Sequence, residues 1–143
     1  MRSKLLPLIF AGVIFSFFSF NANAQVSEIV FDFLSRYSNS LLYGNYQSHA
    51  ALFSDPTYFE GRYYTKQQIT NVAKNFYSKN ITLSHSWKVL DYHVNSKGMI
   101  LIEAIEYQTI RPRNGGRANS TAQKKLIFLG YENGYKCFSK TTE

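Results

Sequence analysis

The sequence predicts a single α+β domain in which three helices precede a four-stranded antiparallel sheet and pack on one of its faces. Two observations carry this. Apolar residues recur at helical spacing through the first half of the chain, and from Ile81 onward they alternate with polar ones at period two. Turn signals at Asn95-Ser96-Lys97-Gly98, Asn114-Gly115-Gly116 and Asn133-Gly134 then divide the second half into strands. Helices followed by sequential strands segregate the helices to one side of the sheet.

The first helix is expected from Val26 to Tyr43, with Ile29, Val30, Phe33, Tyr37 and Leu41 on one face and Ser27 as N-cap. Gly44 interrupts it. A second, short helix runs from Tyr46 to Phe53 and stops at Asp55-Pro56, because the residue before proline resists the helical region. The stretch LFSDPTYFEGRYYTKQQ, residues 52–68, reads as a turn marked by Pro56 and Gly61. Its aromatic residues Tyr58, Phe59, Tyr63 and Tyr64 either fold over a core or pocket or form an exposed binding surface. Thr65 and Gln68 make a capping box for a third helix, whose stripe is Ile69, Val72, Ala73 and Phe76 and whose end falls near Ser78 to Asn80.

In the first strand Ile81, Leu83, His85, Trp87 and Val89 alternate with Thr82, Ser84, Ser86 and Lys88. Met99 to Ile110, Ala122 to Tyr131 and Tyr135 to Lys140 follow, the last two joined by the Asn133-Gly134 hairpin signal. The strand Met99 to Ile110 is apolar on both faces: Met99, Leu101 and Ile105 on one, Ile100, Ile102, Ala104 and Ile110 on the other. A sheet with one wet face should be apolar on one side only. Either sheet curvature and the polar loop Asn114–Ser120 shield the second face, or a second copy covers it, sheet against sheet; the second copy is the expectation. The result is a homodimer that Ile102→Lys should split while leaving the fold intact.

At the N-terminus, Arg2 and Lys4 precede the uncharged apolar run Leu5 to Phe20 and then Ala22-x-Ala24. This is the pattern of a cleavable signal peptide over residues 1–24. It leaves residues 25–143 as one domain, exported to the periplasm or secreted, with no further apolar run long enough to span a membrane of about 20 residues' depth. Cys137 is the only cysteine, so no intrachain disulfide forms, and its strand context predicts burial. The chain carries a formal charge of +7. Its one basic concentration, Arg111, Arg113, Arg117, Lys124 and Lys125, has no helix-turn-helix, zinc-finger or RNP pattern with it, and nucleic-acid binding is set aside.

The run YQSHAALF (Tyr46–Phe53), then Asp55, then Tyr58-Phe59-Glu60-Gly61, then the capped Thr65-Lys66-Gln67-Gln68-Ile69, with Gly134-Tyr135-Lys136 at the last strand, resembles the NTF2-like superfamily. That superfamily includes ketosteroid isomerase and SnoaL-like proteins. The resemblance spans nearly all of Val26 to Lys140, and it implies a cone of three helices on a strongly curved sheet. It also implies a pocket inside the cone, where enzymes of this fold place an Asp or His acid or base with Tyr or Asp as oxyanion donors. The pocket residues expected here are Tyr37, Tyr58, Tyr63, His85, Trp87, Glu103 and Tyr107. His85 shares a strand face with Trp87, and Glu103 shares one with Tyr107; each is a polar group among apolar neighbours. Asp55 is read as a helix-end residue, and Asp91 and His93 approach a turn.

No second acid or base completes an isomerase arrangement, so no catalytic residue is assigned. His49, His85 and His93 lack metal-ligand spacing, and no cofactor motif is present. The expectation is an exported, non-enzymatic domain binding a small apolar molecule or an envelope protein. The alternatives are a cone-pocket isomerase or dehydratase and an accessory of an envelope assembly such as a secretion apparatus.

Overall fold

The computed structural model describes residues 24–143; the leader read over residues 1–24 lies outside them but for Ala24. The described chain opens in helix α1, residues 24–43. It buries Val30, Phe33, Leu34, Tyr37 and Leu41, the three- and four-residue spacing of one helical face. Helix α2, Tyr46–Ala50, starts at Asn45, whose side chain accepts from Ser48 N while the Ser48 hydroxyl accepts from Asn45 N. It is shorter than expected, because Phe53 belongs to a strand.

The residues read as an aromatic turn form a hairpin. Strand β1, Phe53–Phe59, and strand β2, Arg62–Tyr64, are antiparallel and joined by Glu60 and Gly61, both at positive φ. Two consecutive left-handed residues are what a tight hairpin turn requires, and Gly61 takes the second at no steric cost. Helix α3, Lys66–Lys79, follows with the expected capping box: Gln68 N donates to Thr65 Oγ1 and Thr65 N to Gln68 Oε1. Asp55 serves the same helix end, its Oδ1 accepting from Lys66 N at 2.9 Å.

Strands β3 (Asn80–Val94), β4 (Ile100–Pro112), β5 (Asn119–Tyr131) and β6 (Tyr135–Thr142) form the expected antiparallel meander. The sheet is larger, however, than the four antiparallel strands expected. It has six strands in the order β2-β1-β6-β5-β4-β3, and β1 pairs parallel with β6, so the sheet is mixed. Pro56 hid β1 from sequence reading, since proline inside a run argues against a strand. The structure accommodates it at a register shift between Phe53 and Tyr58, where the ladder to β6 is interrupted.

The core lies between the helices and the inner face of the sheet, where Phe33, Ile100, Ile102, Ile127 and Leu129 are sealed from solvent. This reverses the expected faces of β4. Ile100, Ile102, Ala104 and Glu106 point inward; Leu101, Glu103 and Ile105 are half-buried on the outer face, and Tyr107 is exposed there. Period two had grouped the residues correctly. With apolar side chains on both sides, it held no information about which set faced the helices. Ile102 is therefore a core residue, and Ile102→Lys is not a clean probe of assembly. Cys137 is buried, with its thiol 3.3 Å from Ser139 O.

Candidate functional site

The inner face of β4, β5 and β6 carries polar side chains just where the apolar core ends. Trp87 on β3 pairs in register with Glu106 on β4, which pairs with Gln123 on β5; Lys125 on β5 pairs with Thr142 on β6. Glu106, Gln123, Lys125 and Thr142 form one wall of a cavity of about 400 Å³. The facing wall is apolar, from Leu41 on α1 and Ile69, Val72, Ala73 and Phe76 on α3, and Phe53 and Phe59 of β1 close one side. An apolar pocket with a few converging polar groups is the usual form of a small-molecule site.

At the cavity's deep end the polar groups are tightly paired. Glu106 Oε1 lies 2.9 Å from His85 Nε2 and Glu106 Oε2 lies 2.9 Å from Lys140 Nζ. Lys140 Nζ also donates to Tyr37 Oη at 2.6 Å and sits over the Tyr37 and Trp87 rings. Because a carboxylate only accepts, His85 Nε2 carries the hydrogen there; His85 Nδ1 meets Ser38 Oγ at 2.8 Å. Burial alone would raise the Glu106 pKa, but the Lys140 ammonium and hydrogen bonds from His85 and Lys140 outweigh it and hold the carboxyl at about 2. Tyr37 is shifted the other way. Burial, and after it the Glu106 charge, pushes its phenol well above the ordinary value, so it stays protonated.

Two further groups line this space. His49 on α2 is buried and touches Tyr37 edge-on, ring centroids 4.7 Å apart. Burial, with the nearby Lys140 charge, lowers its pKa to about 3 and keeps it neutral. Nearer the opening, Glu60 in the β1–β2 turn accepts from Thr142 N and Thr142 Oγ1 and pairs with Lys125 at 3.3 Å. Lys125 also donates to Thr142 Oγ1. The Glu60 carboxyl is opposed by desolvation, yet the Thr142 hydrogen bonds and Lys125 hold it below its usual range.

Of the residues expected at the pocket, Tyr37 lines the cavity. His85 and Trp87 stand directly behind it, with ring centroids 5.5 and 5.3 Å from Tyr37. The other four are elsewhere. Glu103 and Tyr107 are on the outer face, where Glu103 lies 3.8 Å from Lys124. Tyr58 and Tyr63 meet edge-on, centroids 5.1 Å apart, in a separate shallow groove with Phe128 and Phe138. The hairpin turns these two tyrosines to the side of the sheet away from the helices. Sequence reading missed Glu106, Lys140 and His49. Glu106 was on the strand whose faces were reversed, Lys140 sits after a register irregularity in the β5–β6 ladder, and His49 lies on a helix too short to show a period.

No family model matches the chain, and no curated protein is similar to it in sequence. Solved structures are similar in fold. A ketosteroid isomerase-like protein from Erwinia carotovora atroseptica superposes with a TM-score of 0.65 at 13% identity, over 83% of this chain and 92% of that one. ActVI-ORFA from Streptomyces coelicolor gives 0.67 at 15% identity, over 84% and 95%. Aln2 from a Streptomyces species gives 0.67 at 15%, over 83% and 90%. At these identities the likeness defines the architecture: the chain has the NTF2-like fold, the α+β cone also seen in ketosteroid isomerase-like and SnoaL-like proteins.

Proposed function

We propose that this chain is an exported, non-enzymatic domain whose cone holds a small apolar molecule carrying one polar group. The observation that carries the reading is the state of Tyr37. Its oxygen accepts from Lys140, and among the described residues nothing accepts its own hydrogen. A buried phenol with an unspent donor, on the wall of an apolar cavity, is a hydrogen-bond partner waiting for a ligand oxygen.

The non-enzymatic part rests on the bases that line the cavity. A general base works best with a pKa near the operating pH. Here Glu60, Glu106 and His49 are all shifted downward, Glu106 to about 2 and His49 to about 3. Both oxygens of Glu106 are already bonded. Export rests on the leader pattern of residues 1–24.

The test uses the single tryptophan. Trp87 gives one indole N–H resonance, and its ring packs on Tyr37 and His85 at the deep end. Titration with 2-adamantanol, a compact apolar alcohol, should move that resonance saturably. An unmoved resonance up to the solubility limit would refute the pocket reading.

We also propose a homodimer through the outer sheet face. Leu101 and Ile105 on β4 and Leu126 and Phe128 on β5 are half-buried there, and Tyr107 is exposed. Covering such a patch contributes about 25 cal/mol per Å² before the cost of association.

A further inference from the structure

Resting on the pocket reading above, the hydrogen-bond directions at the deep end specify the ligand's polar group. Ser40 has one hydroxyl hydrogen, and it is donated to Tyr37 O at 2.7 Å. At the 2.8 Å contact between Ser40 Oγ and His49 Nδ1 the serine oxygen must therefore accept, and His49 Nδ1 carries the hydrogen. In a neutral imidazole the other nitrogen is then a bare lone pair. Nothing among the described residues donates to His49 Nε2. The only side-chain nitrogen or oxygen sealed from solvent without a partner among them is Trp87 Nε1, so His49 Nε2 is not sealed, and the residue that carries it lines the cavity.

The deep end thus carries, beside Lys140 with its third N–H unspent, two groups of opposite polarity on rings in edge-on contact: an O–H donor on Tyr37 and a nitrogen acceptor on His49. We infer that the ligand presents a neutral hydroxyl here, accepting from Tyr37 and donating to His49 Nε2. A ketone oxygen satisfies Tyr37 and leaves the His49 lone pair facing another acceptor. A carboxylate is worse. It brings a negative charge to a lone pair and to Glu106, beside a Lys140 ammonium already neutralised by that glutamate. A hydroxyl is donor and acceptor at a single atom and meets both groups.

The experiment measures dissociation constants by Trp87 fluorescence at pH 7 for 2-adamantanol, 2-adamantanone and 1-adamantanecarboxylate, which share one apolar body. The alcohol should bind about fivefold more tightly than the ketone, the fold-change of one net hydrogen bond, and the ionised carboxylate should bind weakest. His49→Phe should abolish the alcohol's preference over the ketone. Tyr37→Phe should weaken both. A ketone or carboxylate that equals or exceeds the alcohol on the wild-type protein overturns the inference, as does an alcohol preference that survives His49→Phe. The wild-type ranking decides the matter alone if His49→Phe does not fold. If none of the three compounds binds, the pocket reading fails and this inference fails with it.

Discussion

Lys140 Nζ lies 2.6 Å from Tyr37 Oη and 2.9 Å from Glu106 Oε2, so one buried ammonium joins the last strand, β6, to helix α1 and to strand β4. The deep end of the cone is organised around this cation. It holds the Glu106 carboxylate ionised, adds to the burial that keeps His49 neutral, and occupies the acceptor side of Tyr37 so that only the phenol's hydrogen is left to offer.

Glu106→Leu should be strongly destabilising. It leaves Lys140 buried without its counter-charge and His85 Nε2 without an acceptor, a loss of about 3–5 kcal/mol for a broken buried pair. Replacing Glu106 and Lys140 together with Leu and Met should recover much of that loss, since well-packed apolar substitutes for buried pairs are often tolerated. Urea unfolding of the single and double variants checks this; a single variant within about 1 kcal/mol of wild type would show that the pair is solvated.

Stability should fall as the solution is acidified, in two windows. His49 has its folded pKa lowered to about 3 from an ordinary 6.5, so its contribution is complete above 6.5 and is lost as pH falls toward 3. Glu106 is lowered to about 2 from 4.5; its contribution is complete above 4.5 and is lost as pH falls toward 2. His49→Phe should therefore flatten the melting-temperature profile between pH 6.5 and about 4.5 and leave the steeper acid limb in place. An unchanged slope in the upper window would mean that His49 titrates alike in the folded and unfolded chain.

Much of the architecture is legible in the sequence. The Thr65/Gln68 capping box, the switch to period two at Ile81 and the Asn133-Gly134 turn each depend on local chemistry, and each stands in the structure where expected. The misses have nonlocal causes. β1 exists because β6 offers it an edge, and its Pro56 is tolerated only at the irregularity in that pairing. Which face of β4 turned inward was set by the helices that cover it, not by a strand apolar on both sides. The site suffered most from this. Tyr37 follows from helical spacing and His85 and Trp87 from alternation, whereas Glu106 and Lys140 become a pair only once β4, β5 and β6 are in register.

The proposed outer-face dimer predicts opposite outcomes for two isoleucines of β4. Ile105→Lys should give a folded monomer by sedimentation velocity, because Ile105 is half-buried on the outer face. Ile102→Lys should fail to fold, because Ile102 is fully sealed and its ammonium would have no partner. A wild-type protein that is monomeric at tens of micromolar, on the order of where a weak interface still associates, would dispose of the dimer.

N-terminal sequencing of the protein recovered from its native host should begin at Gln25. An intact Met1 in the membrane fraction would contradict the leader reading.

The central claim, that the cone is a binding site for a small molecule, is tested most directly by native mass spectrometry of the protein purified from its host. Wild type should carry one non-covalent small molecule, released on collisional activation and with a mass suited to a cavity of about 400 Å³. Val72→Trp should lose it: Val72 lines the opening and is 44% exposed, so the larger ring narrows the entrance without entering the core. A wild-type spectrum showing only the bare chain, unchanged after incubation with 2-adamantanol, or equal occupancy in Val72→Trp, would contradict the account.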